Sequence, residues 1–170
     1  MPPELTTDRL RLRLRDGSDA KWSLELIAED PSQDSRPLAE ERERLDTRRR
    51  AAEEAGYGIY AIELADTGEP IGYCGLVTRR ATPAQPELAY ELLRRHVGNG
   101  YATEAAAAVA DAAFESGIPV LWAIVGRWNA PSFRVLEKLG FTPSRVTGED
   151  GKVLVWLYKK APRGRHRARG

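Results

Sequence analysis

The sequence predicts an α+β domain built around one mixed, mostly antiparallel sheet flanked by helices. Three observations carry that reading. Strand-like segments near both ends follow one another through short turns, which makes them antiparallel neighbours. In the middle the order changes: the apolar run Leu88-Ala89-Tyr90-Glu91-Leu92-Leu93 leads through a glycine turn into an alanine-rich helix and on to a buried strand, a βαβ unit. The chain has 170 residues, 42% hydrophobic and 30% charged, enough to fill one core without staples.

Each element has its own signal. Leu10-Arg11-Leu12-Arg13-Leu14 alternates strictly and reads as a half-buried strand. Asp16-Gly17-Ser18-Asp19 is a turn, with Ser18 or Asp19 as the cap of a helix carrying Trp22, Leu24, Leu26 and Ile27. Residues 30–37 form a polar loop. Residues 38–54 are rich in Arg and Glu, strongly helical but with few apolar anchors, so most of that helix faces water. Gly56 ends it. Residues 57–64 and 71–78 are strands joined by the turn at 65–70. Residues 79–86 read as a loop, and 86 or 87 to 93 as the strand before the glycine turn. Residues 102–116 form the alanine-rich helix, stopped by Gly117, and 119–125 a short buried strand. Residues 129–139 form an amphipathic helix stopped by Gly140. Two last strands, 141–146 and 153–158, flank the turn Glu149-Asp150-Gly151. The three segments expected to shape a substrate cleft are the loops 30–37, 79–86 and 147–152. They hold little apolar area, which suits a polar acceptor.

Composition narrows the function classes. With 26 basic and 25 acidic residues the net charge is +1, which gives no global pull toward nucleic acid or membrane. No apolar run approaches the ~18 residues that cross a bilayer. The first residues lack a basic region followed by an apolar one, so no signal peptide is expected and the cytoplasm is the default compartment. The one cysteine, Cys74, sits among apolar neighbours and reads as a buried thiol. One cysteine and two histidines leave no structural zinc site. The domain is expected to span 1–161. Residues 162–170 carry Arg163, Arg165, His166, Arg167 and Arg169 without an acid and read as a disordered basic tail, either a solvated end or a weak contact to RNA, an acidic protein or a membrane surface.

Residues 98–105, Gly-Asn-Gly-Tyr-Ala-Thr-Glu-Ala, carry the chemistry. A glycine turn opening a helix points several backbone N–H groups one way, and the helix dipole adds about half a positive charge there. Such a site binds phosphate or pyrophosphate without a basic side chain. The second informative segment is Asn129-Ala-Pro-Ser132, followed by Glu137-Lys-Leu-Gly-Phe141.

With Glu87-Leu88-Ala89-Tyr90 and the opening Thr7-Asp8-Arg9-Leu10-Arg11-Leu12, these motifs make the chain resemble the GNAT acyltransferase superfamily over nearly its whole length. The details are most similar to the RimJ/RimL-type protein N-terminal acetyltransferases. Ala89 stands where that branch has glycine, and Val97 where the superfamily usually has Gln, Arg or an aromatic residue, so Arg95 becomes a candidate phosphate contact. The resemblance implies the GNAT fold, acetyl-CoA as co-substrate, and a primary amine as acceptor. It places the coenzyme at Arg95, Gly98, Asn99, Gly100, Tyr101, Ala102 and Thr103, with the pantetheine along the backbone of Leu92 and Leu93 and one N–H there polarising the thioester. It gives Glu87 the role of base, Ser132 that of hydrogen-bond donor to the leaving thiolate, and Asn129 that of a pantetheine partner.

Plainer roles stand beside these: Asn129 as a helix cap, Ser132 as a first-turn residue, Glu87 as a structural carboxylate. Glu91, Glu149 and Asp150 are further candidate bases. Trp22, Trp122 and Trp156 read as core, and Trp128 as a rim residue of the cleft. The expected acceptor is a protein α-amine. A small-molecule amine (aminoglycoside, polyamine or amino acid) and a non-catalytic acyl-CoA-binding role are the alternatives. Monomer and homodimer fit equally well.

Overall fold

A computed structural model describes residues 1–31 and 33–162, apart from the side chain of Glu149. The expected tail at 162–170 lies, but for its first residue, outside the described residues. Eight strands form one sheet in the order β1-β2-β3-β4-β5-β6-β8-β7. They are β1 (Glu4–Thr6), β2 (Leu10–Leu14), β3 (Ile59–Leu64), β4 (Pro70–Thr82), β5 (Gln85–Leu92), β6 (Val120–Gly126), β7 (Thr142–Glu149) and β8 (Lys152–Lys160). The helices are α1 (Ala20–Ala28), α2 (Leu38–Ala55), α3 (Tyr101–Glu115) and α4 (Ala130–Lys138). Every neighbouring pair of strands is antiparallel except β5 and β6, which run parallel across the α3 crossover.

The structure holds the α+β sheet expected from the sequence, with three local corrections. A short edge strand, β1, precedes the first expected one. The expected loop 79–86 is a hairpin: β4 runs on to Thr82, β5 starts at Gln85, and Thr82 pairs with Gln85 around Pro83-Ala84. The loop at 147–152 shrinks to a two-residue turn, with Asp150 at φ 49° and Gly151 at φ 72°, the geometry that matches the twist of a tight hairpin. The N-terminal cap also shifts. Asp16 caps a short 3₁₀ turn through the Ser18 N–H, while Asp19 reaches back to the Asp16 N–H.

Alternation along the strands separates two faces. On one, Leu10, Leu12, Leu14, Tyr60, Ile62, Leu76, Leu88 and Leu121 pack with Ala106, Val109 and Ala113 of α3 and Leu136 of α4. On the other, Ala61, Tyr73 and Leu93 pack with Trp22 and Leu26 of α1. α2 buries little beyond Glu41, Leu45 and Ala52, as its composition required. Trp22 is core as expected. Trp122 is half-buried and Trp156 buried, but they form an edge-to-face pair, ring centroids 5.8 Å apart, outside both core clusters. Cys74 is fully buried.

Leu136 is the buried anchor of α4 in the core. Leu136→Ala is expected to cost about 2–5 kcal/mol. Urea unfolding monitored by tryptophan fluorescence measures it.

Candidate active site

The site begins where two strands part. Among the described residues, β5 and β6 share one register pair, Glu87 with Trp122. Beyond it toward Leu92 and Gly126 no further pair forms. On its other side β5 stays zipped to β4 as far as the Leu92–Gly72 pair, and the Leu93 N–H donates to the Ile71 carbonyl at 2.9 Å. Backbone groups alternate along a strand. Leu92 therefore turns its N–H and C=O away from β4, into the opening between β5 and β6.

This corrects one expectation. Leu93 is fully buried, its N–H is taken by Ile71, and its carbonyl accepts from the His96 N–H at 2.9 Å. Its N–H is therefore not free to meet a ligand. Leu92, half-buried, is the residue whose backbone faces the gap.

The glycine turn closes the far end of the opening. Gly98 (φ 90°) and Gly100 (φ 81°) both adopt the left-handed conformation, which side chains disfavour. Gly100 is the N-cap of α3, and no side chain caps that end. The N–H groups of Tyr101, Ala102 and Thr103 are first-turn donors without intrahelical acceptors. They point with the helix dipole into the exposed turn, an arrangement that fits a diphosphate. Arg95 does not lean toward it: its guanidinium pairs with Glu25 and Glu69, each at 3.4 Å. Val97 is 56% exposed beside the turn.

The opening motif of the chain holds this turn in place. Glu104, in the first turn of α3, accepts from the Thr7 hydroxyl (2.6 Å), the Arg9 N–H (3.1 Å) and Arg9 Nε (2.7 Å). Arg9 also donates to the Asn99 carbonyl at 3.0 Å and lies 4.7 Å from the centre of the Tyr101 ring. Burial raises the Glu104 pKa, but the hydrogen bonds from Thr7 and Arg9 outweigh it and hold it below the usual carboxylate value. The Thr-x-Arg-Leu pattern signalled family membership in the sequence. Its structural task, a latch across almost a hundred residues, was not visible there.

α4 approaches on the α3 side. Asn129 Oδ1 accepts from the Ser132 N–H at 3.2 Å, so Asn129 does act as an N-cap, with Pro131 in the first turn. The Ser132 carbonyl accepts from the Tyr90 hydroxyl at 3.2 Å, tying α4 to β5. Burial pushes the Tyr90 phenol up to about 12, so it stays a protonated donor. Trp128, just before the cap, is 65% exposed and lines an open groove of about 490 Å³ with Arg127, Gly151, Lys152 and Val153.

The carboxylates lie on the opposite face. Glu87 is 6% exposed and sits between Val77 of β4 and Trp122 of β6. Glu91, four residues along on the same face, accepts from the Tyr73 hydroxyl at 3.2 Å. Its pKa is raised, chiefly by burial, with Asp30 and Glu29 adding to the rise against the Tyr73 hydrogen bond. Asp150 belongs to the β7–β8 turn. His96 binds Glu69 at 3.0 Å and has a structural part.

The latch gives a pH-dependent prediction. A carboxylate with a lowered folded pKa stabilises above its ordinary value, ~4.3, and loses that contribution as pH falls through the folded value. Glu104→Gln is therefore expected to speed amide exchange of residues 98–103 about tenfold at pH 7. The difference from the wild type, compared pH by pH, should vanish as acid protonates Glu104.

Comparison with known proteins agrees with this geometry. Residues 9–142 match the family described as the acetyltransferase (GNAT) domain. The protein YkkB of Bacillus subtilis (strain 168) is 32% identical over 165 residues, covering 93% of this chain and 96% of YkkB. The crystal structure of an acetyltransferase from Agrobacterium tumefaciens str. C58 superposes with a TM-score of 0.77 at 28% identity, covering 94% of this chain and 95% of that one. RimL, described as the ribosomal L7/L12 alpha-N-protein acetyltransferase in complex with coenzyme A, shares the fold with a TM-score of 0.78 at 17% identity, covering 92% and 96%. The parted strands, the uncapped glycine turn and the family match lead to one conclusion: the chain belongs to the GNAT acetyltransferase family and is an N-acetyltransferase that uses acetyl-CoA.

Proposed function

We propose that the enzyme acetylates the α-amine of a peptide or protein by direct attack in a ternary complex, in the manner of the RimJ/RimL branch. The observation that carries direct attack is the division of the site between two faces. Ser132 and Tyr90 stand on the α3–α4 side, and Glu87 and Glu91 on the other, with the Leu92 backbone between them. The buried Cys74 is held protonated by its surroundings and is unfit to carry an acyl group.

Acetyl-CoA supplies the acetyl group as an activated thioester. The amides of residues 98–103 hold its diphosphate, and the Leu92 N–H polarises the carbonyl. Glu87 takes a proton from the acceptor amine through water as the carbon–nitrogen bond forms. Ser132 donates a hydrogen bond to the thiolate as the carbon–sulfur bond breaks; the thiolate takes its proton from solvent on release, and Glu87 returns the amine's proton to water. Asn129, while capping α4, keeps its Nδ2 donors for the pantetheine.

An α-amine makes modest demands on such a base. Its pKa of ~7.7–8.0 costs roughly 1 kcal/mol of deprotonation at pH 7, against ~4.6 kcal/mol for a lysine side chain. A small amine is the second reading. The acceptor-side face of α2 disfavours a polycation, because Arg44 and Arg48 lie there beside Glu41.

The test is release of free thiol from acetyl-CoA with a panel of N-terminal peptides, lysine-only peptides with blocked termini, and polyamines. Peptides with free α-amines should be turned over best. Glu87→Gln is expected to lower kcat about 10²–10⁴-fold, most severely on the acidic limb of the pH profile, and Ser132→Ala about tenfold or more. Preference for the lysine-only peptides or polyamines would refute the α-amine reading.

A further inference from the structure

On the acceptor side of the sheet Arg15 has no ion-pair partner among the described residues, although Glu91 on the same face attracts it at longer range. Arg15 follows β2 directly, and its N–H donates to the Ile59 carbonyl at 3.0 Å, so it continues the strand. It heads a row across the sheet: Arg15, Ile59, Gly75, Ala89. Gly75 and Ala89 keep the floor of this row low. A β-carbon at Gly75 would lie 2.2 Å from the Gly58 carbonyl oxygen, so the position admits nothing larger. The row lies between the Tyr73–Glu91 pair and the Val77–Glu87 pair on the same face.

The Arg15 side chain is 93% buried by residue, at 7% exposure, with its guanidinium 5.1 Å from the Tyr73 ring centre and 5.7 Å from that of Trp22. Among the described residues no carboxylate pairs with it. The charges that act on it from α2 are Arg44 and Arg48, with Glu41 opposing them. Glu41 is fully buried and already committed: it accepts from the Ser23 hydroxyl at 2.6 Å and from both Arg44 Nε, at 2.7 Å, and Arg44 Nη2. Arg36 approaches the same carboxylate only to 3.6 Å, and its buried Nε has no hydrogen-bond partner. Four guanidinium groups thus gather around one carboxylate; Arg36 Nε is a buried donor without a hydrogen-bond partner, and the Arg15 guanidinium makes no hydrogen bond among the described residues.

Burying an arginine without its counter-charge is costly. Desolvation accordingly depresses the Arg15 pKa to about 10, and Arg44 and Arg48 push it the same way. Arg48 is exposed and marks the route by which solvent, or a ligand, reaches the group.

Resting on the amine-acetylation reading above, we propose that Arg15, Arg36 and Arg48 form an oxyanion subsite of the acceptor cleft, so that the preferred amine carries a carboxylate or phosphate group. Arginine forks match either oxyanion in a two-pronged contact. The acceptor's anionic group lies over Tyr73 and toward α2, and its amine extends along the low Gly75–Ala89 floor to Glu87.

Paired acceptors test the proposal at saturating acetyl-CoA: leucine against leucinamide for the carboxylate, and phosphoethanolamine against ethanolamine for the phosphate. The oxyanion-bearing member of at least one pair is expected to show kcat/KM tenfold or more above its neutral partner. The pair that responds identifies the source. Arg15→Gln and the solvent-facing Arg48→Gln should each bring that ratio toward one, with KM for acetyl-CoA unchanged. Equal rates within both pairs, or a preference that survives both substitutions, would overturn it. If no amine in either pair is acetylated, the amine reading is judged by the peptide panel above, and calorimetric titration of the acetyl-CoA-saturated enzyme with inorganic phosphate decides the subsite alone. Saturable binding weakened tenfold in Arg48→Gln supports it; absence of binding overturns it.

Discussion

Backbone polar groups in the middle of a sheet need partners, and on one side β5 runs out of them. It is zipped to β4 along its length, but meets β6 in register only at Glu87 and Trp122. An unpaired amide in a buried strand costs about 1–3 kcal/mol unless something satisfies it. An extended ligand with its own amides and carbonyls would complete the ladder there. Everything else in the site is placed relative to that opening. The α3 crossover that makes β5 and β6 parallel also brings the uncapped end of α3 to the mouth of the gap. α4, held by the Tyr90–Ser132 bond, forms its wall.

The turn at the mouth could not bind an anion if it were loose. Two left-handed glycines give it its shape, but also many alternatives in an unconstrained chain. Thr7 and Arg9 remove those alternatives by tying Glu104 and the Asn99 carbonyl to the start of β2. A carboxylate in the first turn of a helix already complements the dipole. Here it also neutralises Arg9, so the latch leaves the amides themselves as the positive element facing outward.

The parts of this design that were readable in the sequence are those with a local signature. Strict alternation marked β2, glycine punctuation marked both ends of α3, and the Asn-x-x-Ser spacing marked the start of α4. The parts that were not readable depend on pairing partners far away. Residues 79–86 look like a loop because the β4–β5 hairpin projects beyond the core, where polar residues suit a strand as well as a turn. Leu92 and Leu93 are indistinguishable as letters. Only the register against β4 decides that the Leu93 N–H is spent on Ile71. Arg15 reads as one more surface arginine after Leu14. Its burial follows from Tyr73 and Trp22, which approach from other elements.

Period-two alternation also explains how a single strand presents two different sets of side chains. Glu87, Ala89 and Glu91 face α1 and the arginine cluster, while Leu88 and Tyr90 face α3 and α4. A residue inserted into β5 would exchange these two sets and put the carboxylates against the apolar core. The register is therefore fixed by burial of Leu88, 3% exposed, and Leu93, fully buried, which lie on opposite faces. The same packing that stabilises the sheet thus keeps Glu87 and Ser132, the proposed base and thiolate donor, on opposite faces beside the β5–β6 gap, without a dedicated structural element for either.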